Sequence, residues 1–363
     1  MRRRILYVMF GALLTVSLVI GALAINVHQS IISNLPASPT FQPSTVPANG
    51  DGNPYGVAFV PPGFPVGGPL SAGDILVSNF NDGANEQGTG STIVSISPDG
   101  APSLFFQAGS ELGLTTALGV LRRGFVLVGS VPTSSGTVVP PGSLLIIDHN
   151  GNVVSTLVSS QLLDGPWDLT VHDQGGIAQV FVSNVLSGTV TRLDLKILPN
   201  SAAGVIVRNM TQIASGYTFR TDPAALVIGP TGVAFDPVRN ILYVASTGDN
   251  AIYAIPNAGT RMSDAGTGSI VYQDNVHLHG PLGLALAPNG DLISVQGDAV
   301  NTDSNQLNEL VEFTPAGQFV AQFQVDPGAA GAAFGLAVAL TPKGIVFAAV
   351  DDNLNALDVW DLM

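Results

Sequence analysis

The chain has 363 residues, too long for one ordinary compact core and suited to two domains or to one large closed repeat fold. Its formal net charge is -14 and, beyond Arg2–Arg4, its one adjacent basic pair is Arg122–Arg123, which excludes the clustered cations a nucleic-acid partner needs. It has no cysteine, which excludes disulfides, c-type haem attachment, thiolate metal sites, a cysteine nucleophile and a lipidated N-terminal cysteine.

Arg2, Arg3 and Arg4 precede an apolar run from Ile5 to Ile25, the pattern of an export signal. Arg2-Arg3-Arg4-Ile5-Leu6 has a loose likeness to a twin-arginine signal. Ala22-Leu23-Ala24 supplies a small-x-small site, so cleavage after Ala24 is expected. The run is also long enough to span a bilayer as a helix, which leaves a retained anchor as the alternative. In both cases the rest of the chain is expected outside the cytoplasm, periplasmic or extracellular, tethered to the inner membrane if the segment stays. Residues 26–52 form a linker. Pro36, Pro39, Pro43 and Pro47 forbid a helix there and favour extended chain.

From residue 53 one unit recurs six times, with a period of roughly 55 residues, the range of propeller blades. The fourth copy is clearest. Gly229-Pro230-Thr231-Gly232-Val233-Ala234-Phe235 leads to Ile241-Leu242-Tyr243-Val244-Ala245, then to Ala251-Ile252-Tyr253-Ala254-Ile255. The other copies start at Asn53-Pro54-Tyr55-Gly56, at a degenerate Leu118-Gly119-Val120-Leu121, at Gly165-Pro166-Trp167-Asp168, at Gly280-Pro281-Leu282-Gly283 and at Phe334-Gly335. The apolar runs are of strand length and rich in Val, Ile and Leu. Pro288-Asn289-Gly290 and Pro342-Lys343-Gly344 read as turns from first to second strands. Pro98-Asp99-Gly100, His149-Asn150-Gly151 and Pro315-Ala316-Gly317 read as turns from third to fourth strands. The last copy ends after Ala356–Trp360, one strand short. A strand within Ile31–Val46 is the expected remedy, closing the ring and removing its open edge.

Gly229–Ile252 resembles an NHL repeat, and the resemblance extends over residues 53–363. It implies an all-β fold, a six-bladed β-propeller of four-stranded antiparallel blades, here preceded by one N-terminal hydrophobic helix. The chain is also distantly similar to the gluconolactonase/regucalcin and streptogramin-lyase propellers. The former place a Glu at the start of an early inner strand, where this chain has Asn53-Pro54-Tyr55. The latter use channel histidines, for which only His277 and His279 qualify. No nucleophile elbow, Walker loop or dinucleotide fingerprint is present. No nucleotide, haem or flavin is therefore expected.

In a meander, the loops into first strands and from second to third strands share one face, the candidate ligand face. It collects Asn53, Asn79, Asp82, Glu86, Trp167, Asp168, Asn184, Asp249, Asn250, His277, His279, Gln296, Asp298, Asp351 and Asp352. Asn184, Asp249, Asn250 and Asp351 can instead serve turns within their own blades. Trp167 either faces the channel and stacks on a ligand or packs between blades. Asp82 and Glu86, in the long loop Asn79–Gly90, are Ca candidates, and His277-x-His279 starts a Zn site without a third ligand. The expected function is an exported, monomeric module that binds a protein, glycan or small molecule. The alternative is a metal-dependent, lactonase-like hydrolase or lyase.

Overall fold

The computed structural model describes residues 29–198, 204–223, 225–297, 308–326, 331 and 333–362. The hydrophobic helix expected at residues 5–25 lies outside them, as does Asp298. Among the described residues no helix is long and apolar enough to cross a membrane. Helix there is confined to a 3-10 turn, Ile32–Asn34.

Each repeat opens with an inner strand: Gly52–Phe59, Leu114–Leu121, Pro166–Asp173, Pro230–Asp236, Pro281–Leu286 and Leu336–Thr341. Each of these starts a separate antiparallel sheet. The first five sheets have four strands and the sixth has three. Each inner strand packs on the next, and the sixth packs on the first, so the cycle closes. All five turn motifs fall between the strands expected to flank them.

The apolar runs form strands because both faces of each inner sheet region meet a neighbour. Ile75–Asn81, the second strand of the first sheet, is buried at every position, whereas the outer strand Val153–Leu157 is largely exposed. Leu76 and Ile93 of the first sheet share a core with Leu118 and Val126 of the second. Leu127 and Ile146 of the second sheet meet Leu169 and Val180 of the third. The pattern repeats around the ring, ending where Val350 and Val359 of the sixth sheet meet Val77 and Val94 of the first. A lone sheet of this kind would leave both faces in water, so the cores exist only in the assembled ring.

Hydroxyls of first and second strands stitch each of the first four sheets to the inner strand of the next. Ser78 Oγ donates to Thr115 O at 2.8 Å, Thr115 Oγ1 to Pro166 O at 2.9 Å, Ser183 Oγ to Thr231 O at 2.6 Å and Thr231 Oγ1 to Pro281 O at 3.0 Å. At one point the sixth sheet comes very close to the first. A Cβ on Gly335 would stand 1.8 Å from the carbonyl oxygen of Tyr55.

The N-terminal segment is bound twice. Glu312, fully buried in the fifth sheet, accepts hydrogen bonds from Ser30 Oγ (2.6 Å), Ile31 N (2.9 Å) and Ile32 N (3.0 Å). Residues 40–45 then run antiparallel to the last strand of the sixth sheet, Ala356–Leu362. Phe41 bridges Val359 and Ser44 bridges Ala356, and Leu357 N donates to Pro43 O at 3.0 Å.

Candidate functional site

Register places the start of each first strand beside the end of its second strand, as in Gly52 opposite Asn81 and Pro166 opposite Asn184. A cavity of about 680 Å³ opens at this end of the ring. Tyr55, Trp167 and Phe334 line it and occupy equivalent positions of the first, third and sixth repeats. Tyr55 stacks on Phe334 with centroids 4.8 Å apart, and Trp167 meets Tyr55 edge-on at 5.9 Å. Phe80 backs this layer, 4.6 Å from Tyr55. The aromatic layer forms an apolar floor. Below it, a cavity of about 310 Å³ is lined by the lower parts of the inner strands, and Thr116 borders both spaces.

Amides dominate the rim: Asn53, Asn81, Asn85, Gln87, Asn353 and Asn355. Asn53 has a left-handed backbone, φ 55°, and its N–H donates to Asn355 Oδ1 at 2.6 Å. Its side chain is engaged with the Tyr55 hydroxyl, and its buried Oδ1 accepts no hydrogen bond. Burial and the nearby Asp352 carboxyl push the Tyr55 phenol well above its usual range. Asp352 is the half-buried carboxyl of the rim. Burial, and then the charge of Asp351, raise its pKa to about 6.

Of the ligand-face candidates, Asn53, Asp82, Trp167 and Asp352 line this cavity. Others are turned to internal work. Asn79 is fully buried and donates to Thr45 O and Thr92 Oγ1. Asn184 is also fully buried and donates to Thr189 and Thr191 hydroxyls. Asn250 donates to Leu278 O and accepts from Gly280 N, and Asp249 accepts from Thr218 and Ser246 hydroxyls. Asp351 is buried and caps the turn at Leu354 N. The physical reason is common to them: the end of a second strand is also where a tight loop needs acceptors and donors. Asp168 lies in the lower cavity, where burial raises its pKa well above the usual carboxylate range despite N–H donors from Leu169 and Val233.

The two histidines do not converge. His277 stacks on Phe319 of the fifth sheet's outer strand and pairs with Asp274 at 2.7 Å. His279 is buried, with Nε2 3.2 Å from Val276 O. Asp82 Oδ1 accepts the N–H groups of Ala84 and Glu86, which shapes the loop, and Glu86 itself is exposed. Among the described residues no three His, Cys, Asp or Glu side chains stand together so as to hold a metal ion. That donor set does not fit the metal centre the lactonase resemblance implies.

Tyr55 and Phe334 are the members of the site that the sequence reading missed. The shared repeat position of Tyr55, Trp167 and Phe334 was the available signal, since one slot repeated around a ring must face one space.

No protein-family profile matches the sequence, and no curated protein matches it. Solved structures do match. A gluconolactonase from Xanthomonas campestris is 14% identical, with a TM-score of 0.55, covering 89% of this chain and 96% of that one. The calcium-binding protein regucalcin from Agrobacterium tumefaciens is 12% identical, with a TM-score of 0.51, covering 88% and 93%. A luciferin-regenerating enzyme is 10% identical, with a TM-score of 0.53, covering 89% and 95%. The fold is therefore a β-propeller of the gluconolactonase and regucalcin type, consistent with the NHL-like repeats.

Proposed function

We propose that this protein is an exported six-bladed β-propeller, closed by residues 40–45, whose mouth pocket takes a small polyhydroxylated ring compound and hydrolyses a lactone in it. The observation that carries the reading is the pocket's composition. An apolar aromatic floor suits the C–H face of a ring, and a rim of amides suits its hydroxyls. The likeness to a gluconolactonase favours a cyclic ester within that class. Asp352 supplies the chemistry. With a pKa of about 6 its carboxylate is present at neutral pH yet basic enough to accept a proton. It takes a proton from an attacking water as the C–O bond to the lactone carbonyl forms. It returns that proton to the ring oxygen as the ring C–O bond breaks, and the product is a hydroxy acid.

A binding module without chemistry is the second reading, favoured by the same floor and amides, which bind a sugar face without any base. Both are tested on the purified protein with glucono-δ-lactone and glucose. Tryptophan fluorescence reads binding, because Trp167 lines the pocket and the other tryptophan, Trp360, is buried elsewhere. Proton release reads hydrolysis. Quenching with hydrolysis that survives EDTA supports the lactonase. Quenching alone supports the binding module. Hydrolysis lost on EDTA treatment and restored by Ca or Zn would replace this mechanism with a metal-dependent one, and absence of both signals would discard the pocket assignment.

A further inference from the structure

Three additions to the regular meander cluster on the mouth face. They are the loop from Asp82 to Ser91, the hairpin of Thr133–Ser134 with Thr137–Val138, and the hairpin of Arg220–Asp222 with Leu226–Ile228. The first two are tied together: Thr133 Oγ1 donates to Gln87 O at 2.6 Å and Thr133 N to Gly88 O at 3.0 Å. Between the two hairpins lies a second cavity of about 520 Å³. Gln87 borders both this cavity and the mouth pocket. So does the Leu226 strand, with Leu226 lining the outer space while Ala225 and Val227 line the inner one. Leu226 has φ 63°, a left-handed conformation that a bulky side chain avoids unless its surroundings impose it. That backbone distortion sits in the partition between the two cavities.

The outer cavity is mixed, with the larger share of its surface apolar. Thr137, Thr221, Asp222 and Gln87 offer hydroxyl, carboxylate and amide groups, and Val138, Pro223 and Leu226 supply apolar surface suited to the C–H face of a ring. No Lys, Arg or His lines either cavity among the described residues, while Asp82, Asp222 and Asp352 do. Arg220 pairs with Asp222 at 3.4 Å beside the outer cavity, and an anionic occupant of the mouth pocket would meet the carboxylates of Asp82 and Asp352.

We propose that the outer cavity is a second subsite of the mouth pocket, so that the natural occupant is a neutral polyhydroxylated molecule of two or more ring units laid across Gln87. The inference rests on the reading of the mouth pocket as a polyol site. It adds that a single ring fills only half of the groove.

The test compares glucono-δ-lactone with the two-unit cellobiono-δ-lactone, using the full protein and tryptophan quenching. The two-unit probe binds about tenfold more tightly, the value of one or two added hydrogen bonds. Thr137→Phe and Thr221→Phe each fill the outer cavity from an exposed position on opposite walls and leave Trp167 as the reporter at the pocket. With either variant melting as the parent does, the tenfold preference disappears and single-ring affinity is unchanged. Equal affinity of the two probes for the parent protein overturns the subsite while leaving the mouth pocket intact. So does equal weakening of both probes in the two variants. Binding of neither probe overturns the mouth-pocket reading and the subsite with it. Tighter binding of the anionic two-unit acid than of its lactone overturns the neutral-ligand assignment.

Discussion

Asp351 and Asp352 are adjacent in the chain and face different surroundings. Asp351 is buried in the sixth sheet, and Asp352 borders the pocket. If Asp352 is the base, lactone hydrolysis needs its ionised form. Its rate rises with pH through about 6 and levels above, and a pH–rate profile should show that acid limb. Asp352→Asn should lower kcat/KM by about 10²- to 10⁴-fold and remove the limb, while leaving probe binding near normal. Trp167→Ala should weaken probe affinity about tenfold through loss of a stacking face, as read by calorimetry, with the pH limb retained. Residue types alone did not separate these roles. Asn79, Asn184 and Asp82 share a loop face with Asn53, yet whether an Asx side chain reaches outward or back depends on which N–H groups its own turn leaves unpaired. Asn53 reaches the pocket from a left-handed backbone, and nothing in its neighbours' identities announces that conformation.

At the scale of elements, the N-terminal segment and the sixth sheet form one unit. Gln42 Nε2 donates to Asp358 Oδ1 at 2.5 Å across the pairing of residues 40–45 with the last strand. Asp358 is 1% exposed. Burial first, and then the nearby Asp351 and Asp326 carboxyls, raise its pKa to about 7 despite the Gln42 bond. A carboxyl raised in the folded state keeps a proton that the unfolded chain has already released at pH 5 to 6. Its contribution is therefore undiminished below about pH 4 and is lost as pH rises through about 7. Urea melts should show a fall of about 2 kcal/mol across that range, and Asp358→Asn should flatten it. A parent protein more stable at pH 7 than at pH 5 would contradict this. Strands of this unit are legible where an unbroken apolar run is bounded by turn residues, as in Ile345–Val350 between Gly344 and Asp351. The hairpins of Thr133–Val138 and Arg220–Ile228 are not. Their strands are two or three residues long, too short for any period to register. The outer cavity was accordingly invisible in the sequence.

For the whole molecule, the repeated inner strands set how closely sheets approach. In the sequence Gly335 opens the apolar run of the sixth repeat. In the structure it is a point of contact between two sheets, as the Tyr55 carbonyl oxygen would clash with any side chain there. Gly335→Ala should destabilise the ring by about 3 kcal/mol and also shift Tyr55 in the pocket floor, so that thermal melts and probe affinity change together. A change in one without the other would separate the floor from the closure. The hydroxyl bonds between neighbouring sheets, which span the four gaps from the first sheet to the fifth, act on the same dimension. With the close contact at Gly335 they work as a hoop, resisting a widening of the ring near the aromatic floor. A ligand too wide for that floor cannot be admitted by letting the sheets spread, because widening any one gap loads the others. Selectivity by girth is thus built into the barrel of the ring, whereas selectivity by length is left to the hairpins on its lip, where mutation can adjust it without straining the hoop.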